Sequence, residues 1–256
     1  MKKVLFAMLA LGMLVSCKDL KVISQSDKPL QSEQRALTGF ERIELLGSLD
    51  VKYQQADSFS VRVEAPADVL RYVETRVDGN KLVVNMEGEG KVINLGVKDA
   101  DGVTVYVTSP DFIGIELRGS GDFDCRGHLD TDVLDISVRG SGDAEFDDVI
   151  CDRVNVSLVG SGDVEVKNIV THRTGIELVG SGDIEMNQRQ VAQTDIELKG
   201  SGDITLRMDN GGEVNARLLG SGDITLRGDA KRLEQYTRGS GDIDVKGLRL
   251  DGSVKK

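Results

Sequence analysis

Seven aspartates recur along this chain at nearly constant spacing. Each closes a Gly-Ser-Gly-Asp tetrapeptide, and successive tetrapeptides begin 19 to 21 residues apart. If equivalent residues stack, neighbouring carboxylates lie about 5 Å apart and repel by about 1 kcal/mol in water. Such a row could bind Ca²⁺, or each carboxylate could accept backbone N–H groups of the turns. We predict turn stabilisation and keep a Ca²⁺ site as the alternative for the Asp column, which is Asp122, Asp143, Asp163, Asp183, Asp203, Asp223 and Asp242.

The other residues with catalytic potential form no recognisable pattern. His128 and His172 lie in dissimilar contexts, and no Ser/His/Asp or metal-ligand spacing converges on either. Glycan-cleaving enzymes built on β-helices place paired carboxylates in grooves walled by long loops, and the near-constant repeat leaves no room for such loops. There is also no Trp to stack on a sugar ring. We therefore predict a non-enzyme with no catalytic residues, no metal and no cofactor.

Cys17 is the cysteine with a predicted chemical fate. Lys2 and Lys3 precede an apolar run from Val4 to Val15. As a helix this run would rise about 18 Å, too little for a hydrocarbon core of roughly 30 Å, so it is typical of a secretory signal. The run ends in Leu-Val-Ser-Cys, which resembles the bacterial lipobox. That resemblance implies cleavage of the leader within residues 1–17 and acylation of Cys17.

The residues after Cys17 bear on the membrane to which the lipoprotein is exported. Lys18 and Asp19 resemble the start of the surface-export signal of Bacteroidota lipoproteins, although Leu20 departs from that pattern. We expect an outer-membrane lipoprotein and leave the leaflet, surface or periplasmic, open. Residues 18–38 are polar and lack a sustained period, which predicts a flexible tether.

Cys125 and Cys151 are the remaining cysteines. They follow their tetrapeptides by different intervals, so stacking would place them in different columns. An exported protein permits disulfides, but the mismatch argues against a short Cα separation. We predict two buried thiols.

Composition and charge exclude two classes of partner. Hydrophobic residues make up 39% of the 256-residue chain, and the 43 acids outnumber the 32 bases to give a net charge of −11. Nucleic-acid binding needs a basic stripe, and adsorption to an anionic membrane surface needs basic clusters. The partners that we expect are the membrane, through the lipid anchor, and a protein or glycan ligand.

The elements that position these residues are short strands. Apolar residues alternate before each tetrapeptide, as in Ile176 and Leu178, and again after it, as in Ile184 and Met186. A period of two with β-branched residues is typical of strands with one buried face. No helical pattern of ten residues fits inside the repeat.

Equal repeat length favours one arrangement of these strands. A meander of hairpins tolerates unequal repeats, whereas stacked coils must match in length to keep equivalent residues in register. We therefore predict an all-β fold, a right-handed parallel β-helix or solenoid with coils of about 20 residues. Residues 111–250 form the repeated solenoid, and residues 251–256 form a C-terminal tail.

The ends of the predicted solenoid depart from the repeat. Residues 39–110 include a first coil with the degenerate copy Gly47-Ser-Leu-Asp, followed by a β-rich segment that caps the coil end. Within it we expect one short helix from Ala67 to Arg76, and turns at 88–91 and 99–102. At the other end Gln235 and Thr237 replace apolar residues, as expected of a terminal cap.

The outward-facing residue before each tetrapeptide is mixed in character. Val159, Val179 and Leu219 share this position with arginines and a lysine. These three could form an apolar stripe that contacts a partner. We interpret the position as an ordinary strand face and keep the stripe as the alternative.

Several of these motifs together resemble one known family. The lipobox, the opening F-x-x-I-x-L-x-G-S-x-D-V from Phe40 to Val51 and the serial GSGD repeats are similar to the head GIN domain family. That family is labelled a putative auto-transporter adhesin and is common in Bacteroidota. The resemblance covers roughly residues 39–250 and implies a β-helix-like fold and an exported protein.

These observations combine into one expected function. We expect a non-enzymatic, lipid-anchored solenoid of the cell envelope that acts as an adhesin or binding module. The alternative is a periplasm-facing structural or signalling accessory that binds another envelope protein. A second alternative is a carbohydrate-active β-helix enzyme. Nothing in the sequence predicts the oligomeric state or the identity of the ligand.

Overall fold

The structure, a computed structural model, describes residues 28–86, 102–251 and 254–255. The leader with Cys17, and the turn predicted at 88–91, lie outside these residues. The described residues form an all-β solenoid of about seven turns with coils of about 20 residues, so the predicted fold class is confirmed.

Seventeen strands in one continuous sheet make up the described fold, together with one turn of 3₁₀ helix at Leu70–Tyr72. The strands are β1 (Leu30–Arg35), β2 (Arg42–Gly47), β3 (Asp50–Gln55), β4 (Ser60–Pro66), β5 (Val73–Asp78), β6 (Lys81–Met86), β7 (Thr104–Ser109), β8 (Gly114–Gly119), β9 (Phe123–Gly140), β10 (Ala144–Gly160), β11 (Val164–Gly180), β12 (Ile184–Arg189), β13 (Gln193–Gly200), β14 (Ile204–Gly220), β15 (Ile224–Gly239), β16 (Ile243–Leu250) and β17 (Val254–Lys255).

Each long strand is a complete coil that pairs in parallel with the next. In β11, Val164 pairs with Ala144 of the preceding coil, and Gly180 pairs with Gly160. The alternation of buried and exposed residues is reset after residue 167 and again at residues 172–173. Because a flat strand alternates strictly, these resets divide the coil into three faces. In β11 the first face is 164–167, the second is 168–171 and the third is 174–180.

The tetrapeptide forms the corner between the third face and the first face of the next coil. Gly180 has φ +140°, and a Cβ there would overlap the carbonyl oxygen of Gly160 one coil below. A Cβ at Gly182 would overlap the carbonyl oxygen of Gly162 in the same way. Two columns of glycine are therefore required, because the backbones of successive corners approach too closely for any side chain.

The core is a stack of inward-facing side chains from all three faces. Ile176, for example, is 4% exposed, and Leu178 is fully buried. Four aromatic rings stack along the axis in the first coils, with ring centroids 4.2 Å apart for Tyr53 and Phe112 and 5.5 Å apart for Phe123 and Phe146. Large rings near the start and aliphatic residues further on fill one continuous core.

A group of buried polar side chains interrupts the apolar core. Thr174 Oγ1 donates to Gln188 Oε1 at 2.8 Å, and Gln188 Nε2 donates to Thr194 Oγ1 at 2.9 Å. All three residues are at most 2% exposed. Each polar atom that leaves water therefore gains a partner inside the coil.

The N-terminal strands add antiparallel pairing to the start of the solenoid. Strand β4 pairs antiparallel with β1 on one side and with β7 on the other. Strands β5 and β6 form a hairpin, and β6 also pairs in parallel with β2.

The short helix predicted from Ala67 to Arg76 is wrong. Only a 3₁₀ turn at Leu70–Tyr72 forms, and Val73–Asp78 is strand β5. The hairpin forms because the two-residue turn Gly79-Asn80 joins Asp78 to its partner Lys81, with Gly79 at φ +61°. Gly-Asn between two alternating runs is a hairpin signal, and a three-residue apolar face cannot outweigh the pairing of β5 with β6.

The predicted tether of residues 18–38 is also wrong for residues 30–35. These residues form β1, which pairs with β4 from Leu30 with Pro66 to Arg35 with Val61. Their side chains are almost all exposed, so the segment lacks the alternation of apolar and polar residues that would predict a strand. The free edge of β4 supplies the missing partners, and that edge is not visible in the sequence of the segment itself.

The C-terminal end closes with partly polar positions. Gln235 and Thr237 pair in register with Ala216 and Leu218, so they occupy columns that are apolar in earlier coils. Gln235 is half-buried and Thr237 is exposed. Strand β16 continues the sheet on the first and second faces.

Candidate binding groove

The third face carries an open groove that runs along the solenoid axis. It encloses about 1140 Å³ and crosses six successive coils. Two outward-facing columns line it above the buried apolar residues. The first column is Asp135, Asn155, Gly175, Asp195, Asn215 and Glu234, and the second column is Ser137, Ser157, Glu177, Glu197, Arg217 and Tyr236.

The first column contains an acid–amide pair at one end. Asn155 Nδ2 donates to Asp135 Oδ1 at 2.8 Å, and Arg42 Nη2 donates to Asp135 Oδ2 at 2.8 Å. Burial acts to raise the pKa of Asp135, but the hydrogen bonds from Asn155 and Arg42 outweigh it and lower that pKa. Asp135 is therefore a fixed carboxylate.

A second acid–amide pair repeats the arrangement further along the same column. Asn215 Nδ2 donates to Asp195 Oδ1 at 2.8 Å. Gln193 Nε2 donates to Asp195 Oδ2 at 2.8 Å and takes the place that Arg42 has in the first pair. Gly175 lies between the two pairs.

The charged side chains in the middle of the second column have a basic or an aromatic side chain as a neighbour. Lys199 Nζ lies 3.1 Å from a carboxylate oxygen of Glu177 and 3.0 Å from one of Glu197. The guanidinium carbon of Arg217 lies 5.9 Å from the centroid of the Tyr236 ring, which is 53% exposed. These contacts neutralise part of the charge of Glu177 and Glu197 and place Arg217 beside an aromatic ring.

At the end of the groove nearest the N-terminal coils, the second column is uncharged. Ser137 and Ser157 are half-buried, and within the described residues their hydroxyls have no protein hydrogen-bond partner. A hydroxyl in a groove that lacks a protein partner is free to donate to a ligand and to accept from it.

Beyond the groove the same column continues into an ion-pair cluster. Lys81 Nζ lies 2.8 Å from Glu44 and 3.6 Å from Glu116. The hydrogen bond from Arg118 lowers the pKa of Glu116 despite partial burial. The cluster therefore closes one end of the third face with fixed, paired charges.

This groove is not among the features predicted from the sequence, where the outward positions before the tetrapeptides resemble an ordinary strand face. The available signal was the recurrence of Asp or Asn at intervals of 20 residues, from Asp135 to Asn155 and from Asp195 to Asn215. The alternative apolar stripe is interrupted. Lys199 lies in register between Val179 and Leu219.

The Asp column forms a ladder of hydrogen bonds along the corner of the solenoid. Asp183 Oδ1 accepts from the backbone N–H of Asp203 at 3.0 Å, and the N–H of Asp183 donates to Asp163 Oδ1 at 2.9 Å. The ladder starts at Asp50, whose Oδ1 accepts from the N–H of Asp122 at 3.1 Å. Burial raises the pKa of Asp50. The same bond links every later pair, from Asp122 and Asp143 to Asp223 and Asp242.

Neither the Asp column nor the histidines form a metal cluster in the described part of the chain. No group of three or more His, Cys, Asp or Glu side chains is arranged there to hold an ion. His128 is exposed and pairs in register with Asp148, and His172 is exposed at a bend of β11. The Ca²⁺ alternative therefore stays a prediction that calcium titration must test.

The cysteines lie in different environments. Cys17 is outside the described residues. Cys125 and Cys151 are 1% and 5% exposed, so their predicted burial is confirmed. They lie in different columns, because Cys125 pairs with Phe146 whereas Cys151 pairs with Thr131 and Thr171.

Across residues 28–86, 102–251 and 254–255, no helix has the length and apolar character to cross a bilayer.

No curated protein matches the chain. A family model described as "Putative auto-transporter adhesin, head GIN domain" matches residues 39–211 and again residues 164–253.

Solved structures with the same fold come from the genera Bacteroides and Parabacteroides. A putative adhesin of Bacteroides fragilis is 23% identical with a TM-score of 0.73, and the match covers 86% of this chain and 98% of that chain. A putative lipid binding protein of Parabacteroides distasonis is 21% identical with a TM-score of 0.65, and the match covers 91% and 98%. At such identities the likeness establishes the fold alone.

Proposed function

The chain belongs to the head GIN domain family, and from that premise we propose that it is a non-enzymatic binding module of the cell envelope. In this proposal the lipid on Cys17 holds the chain in the outer membrane. The groove on the third face holds an extended ligand. The bound ligand attaches the cell to the surface that displays this ligand. The protein thus acts as an adhesin.

The observation that carries the proposal is the groove itself. It crosses six coils of the stack, and its acid–amide pairs hold their side chains through hydrogen bonds within the protein. A site whose side chains are already held in place loses little conformational freedom on binding. Free hydroxyls at Ser137 and Ser157 supply the remaining contacts.

The environment of Asp135 supports binding rather than catalysis at that residue. A glycan-cleaving enzyme needs one carboxylic acid with a raised pKa to protonate the leaving group. In the groove the pKa of Asp135 is lowered instead, and Arg42 and Asn155 hold its two oxygens. Glu116, at the end of the same face, is also held as a carboxylate.

Adherence of cells tests the function directly. Cells that carry the protein are compared with cells that lack it for adherence to an epithelial monolayer and to each other. Ser157→Arg should block the groove and reduce adherence to the level of cells without the protein. Thr205→Arg, at a half-buried outward position on the first face, is the matched control and should leave adherence unchanged. Equal adherence with and without the protein would refute the proposal.

Protease treatment of intact cells tests which side of the outer membrane the module faces. An adhesin must be exposed, so protease should cleave it while a periplasmic marker stays intact. Complete protection of the chain, with cleavage after the outer membrane is permeabilised, would instead favour the periplasm-facing accessory role.

A further inference from the structure

Gly175 is a glycine that neither a turn nor a close backbone approach requires. It lies inside β11, and its φ is outside the left-handed region. A Cβ added there would meet only Asn155 Oδ1, at 3.3 Å. The corner glycines are different, because a Cβ at Gly182 would overlap backbone. Glycine inside a strand often marks a place where a ligand approaches the backbone closely.

The absent side chain at Gly175 falls within the groove. Gly175 lies at the middle of the first groove column, with Asn155 in register on one side and Asp195 on the other. The missing side chain leaves a depression in the floor, flanked by the pairs Asp135–Asn155 and Asp195–Asn215. A ligand that follows the axis would therefore lie deepest at Gly175.

The chemistry beside the depression suits hydroxyl groups. An amide both donates and accepts, a carboxylate accepts, and a serine hydroxyl does both. Asn155 and Ser157 offer these functions on one coil, and Ser137 lies in register with Ser157 on the preceding coil, about 4.8 Å away. A chain of sugar rings presents hydroxyls of both donor and acceptor character at every step.

The partners of the groove carboxylates favour an uncharged ligand. Arg42 pairs with Asp135, and Lys199 pairs with Glu177 and Glu197. The Asp195 carboxylate has no ion pair, but the amides of Gln193 and Asn215 occupy its two oxygens. A cationic ligand would have to displace these partners, and an anionic ligand would face the carboxylates. Neutral ligands meet neither cost.

A peptide strand fits the groove less well. Strand addition needs an edge with free backbone N–H and C=O groups, whereas the coils under the groove, from β9 to β15, are paired to each other in parallel. The groove offers side chains and no backbone ladder.

We propose that the groove binds a neutral, hydroxyl-rich polysaccharide that lies along the solenoid axis and contacts the floor at Gly175. This inference rests on the proposed function and names its ligand class. Tyr236, exposed at the end of the groove, provides a ring on which a sugar can stack.

The test uses affinity electrophoresis of the chain from residue 18 onward in gels that contain one polysaccharide each. The neutral probes are dextran, mannan, xylan and laminarin, and dextran sulfate is the charged counterpart of dextran. At least one neutral probe should retard the protein, and dextran sulfate should not retard it more than dextran. Retardation by none of the neutral probes would overturn the proposal, and so would preference for the sulfated polymer.

Two variants locate the site, and a third is the control. Gly175→Val fills the depression, displaces the Asn155 side chain slightly and should weaken binding at least tenfold. Its melting temperature should stay close to that of the wild type, since the gain in strand propensity of Val over Gly offsets this contact. Asn155→Ala removes an amide without filling the floor and should also weaken binding. Thr205→Val, on the first face, should bind as the wild type does. Equal binding by Gly175→Val and the wild type would overturn the proposal.

The two proposals can fail separately. If Ser157→Arg abolishes adherence but no neutral polysaccharide binds, the adhesin function stands and the ligand class is wrong. If the protein confers no adherence but binds a neutral polysaccharide in a Gly175-dependent way, the adhesin function is wrong and the site stands.

Discussion

Every aspartate of the Asp column before Asp242 uses one carboxylate oxygen to accept the N–H of the next aspartate. In the middle of the ladder this bond joins Asp183 Oδ1 to the amide of Asp203. A hydrogen bond to a charged group contributes about 1.5–3 kcal/mol, which exceeds the repulsion of about 1 kcal/mol between neighbouring carboxylates in water. The corner is therefore stable as a row of like charges.

Replacing Asp183 separates the acceptor role from the charge. Asp183→Asn keeps an acceptor oxygen and removes one repulsive charge, so the free energy of unfolding should change by less than about 1 kcal/mol. Asp183→Ala removes the acceptor and should be the less stable of the two. Urea unfolding of both variants measures the difference. An Asn variant as unstable as the Ala variant would contradict the acceptor role.

The same variant tests the Ca²⁺ alternative. A ligand that binds only the folded state raises the melting temperature by mass action. We expect added calcium to produce no shift beyond that of matched ionic strength. A shift of several degrees in the wild type that is reduced in Asp183→Asn would instead identify the column as a calcium site.

The two buried cysteines should be chemically inert in the folded protein. Burial raises the pKa of Cys125 to about 12 and also raises that of Cys151. The thiolate is the reactive form, so at pH 8 a thiol reagent should modify neither residue until urea is added. Mass spectrometry without reductant should show both as free thiols. A link between Cys125 and Cys151, or rapid modification in the native state, would contradict this prediction.

At the scale of the coil, nearly equal length keeps the columns aligned, but the register shifts locally between several pairs of strands, and one of these shifts lies beside a buried polar residue. The register between β11 and β12 shifts between Val166 and Ile169, so that Gln188 pairs with Ile169. Gln188 then points into the core, where Thr174 and Thr194 provide its partners. The polar group lies beside the irregularity, and the neighbouring coils place Val154, Val214 and Met208 at equivalent positions.

This comparison predicts opposite outcomes for one and for three substitutions. Gln188→Leu leaves two buried hydroxyls without a partner and should cost about 2–4 kcal/mol. The triple variant Thr174→Val, Gln188→Met and Thr194→Val copies the neighbouring coils and should lie within about 1 kcal/mol of the wild type. Chemical unfolding of both variants measures this. A triple variant that is less stable than Gln188→Leu would contradict this prediction. It would show that the three polar side chains stabilise the fold by more than pairing one another's buried polar atoms.

At the scale of the whole molecule, the solenoid presents a continuous groove while its two ends differ from the repeat. Antiparallel strands β1 and β4 lie at the N-terminal side, next to the segment that leads back to Cys17. A membrane anchor at that end would leave the groove, from Asp135 to Tyr236, further along the chain and accessible. The arrangement suits a module that is held at one end and binds along its side.

Removal of the anchor should release the whole protein. Cys17→Ala should abolish acylation, and the chain should leave the membrane fraction, because two or three acyl chains are needed for firm attachment. Cys151→Ala leaves the lipobox intact and should fractionate as the wild type does. Cell fractionation after a salt wash measures both variants. A Cys17→Ala protein that stays with the membranes would contradict lipid anchoring.

The fold could be predicted from the sequence because the repeat is local and regular. The spacing of the tetrapeptides predicted that Gly119 to Gly239 form one column, and every one of these glycines pairs in register with the next. Alternation likewise predicted the buried residues, such as Ile176 and Leu178. Both signals depend on neighbours in sequence or on equal intervals, which a sequence displays directly.

Tertiary structure alone decided the features that depend on unequal or distant contacts. Arg42 holds Asp135 from 93 residues away, and β1 forms only because β4 offers an edge. Gln188 is buried because a register shift turns it inward. The groove emerges only when outward side chains of six coils are set side by side, since its parts are single residues 19 or 20 positions apart whose contacts no local pattern encodes.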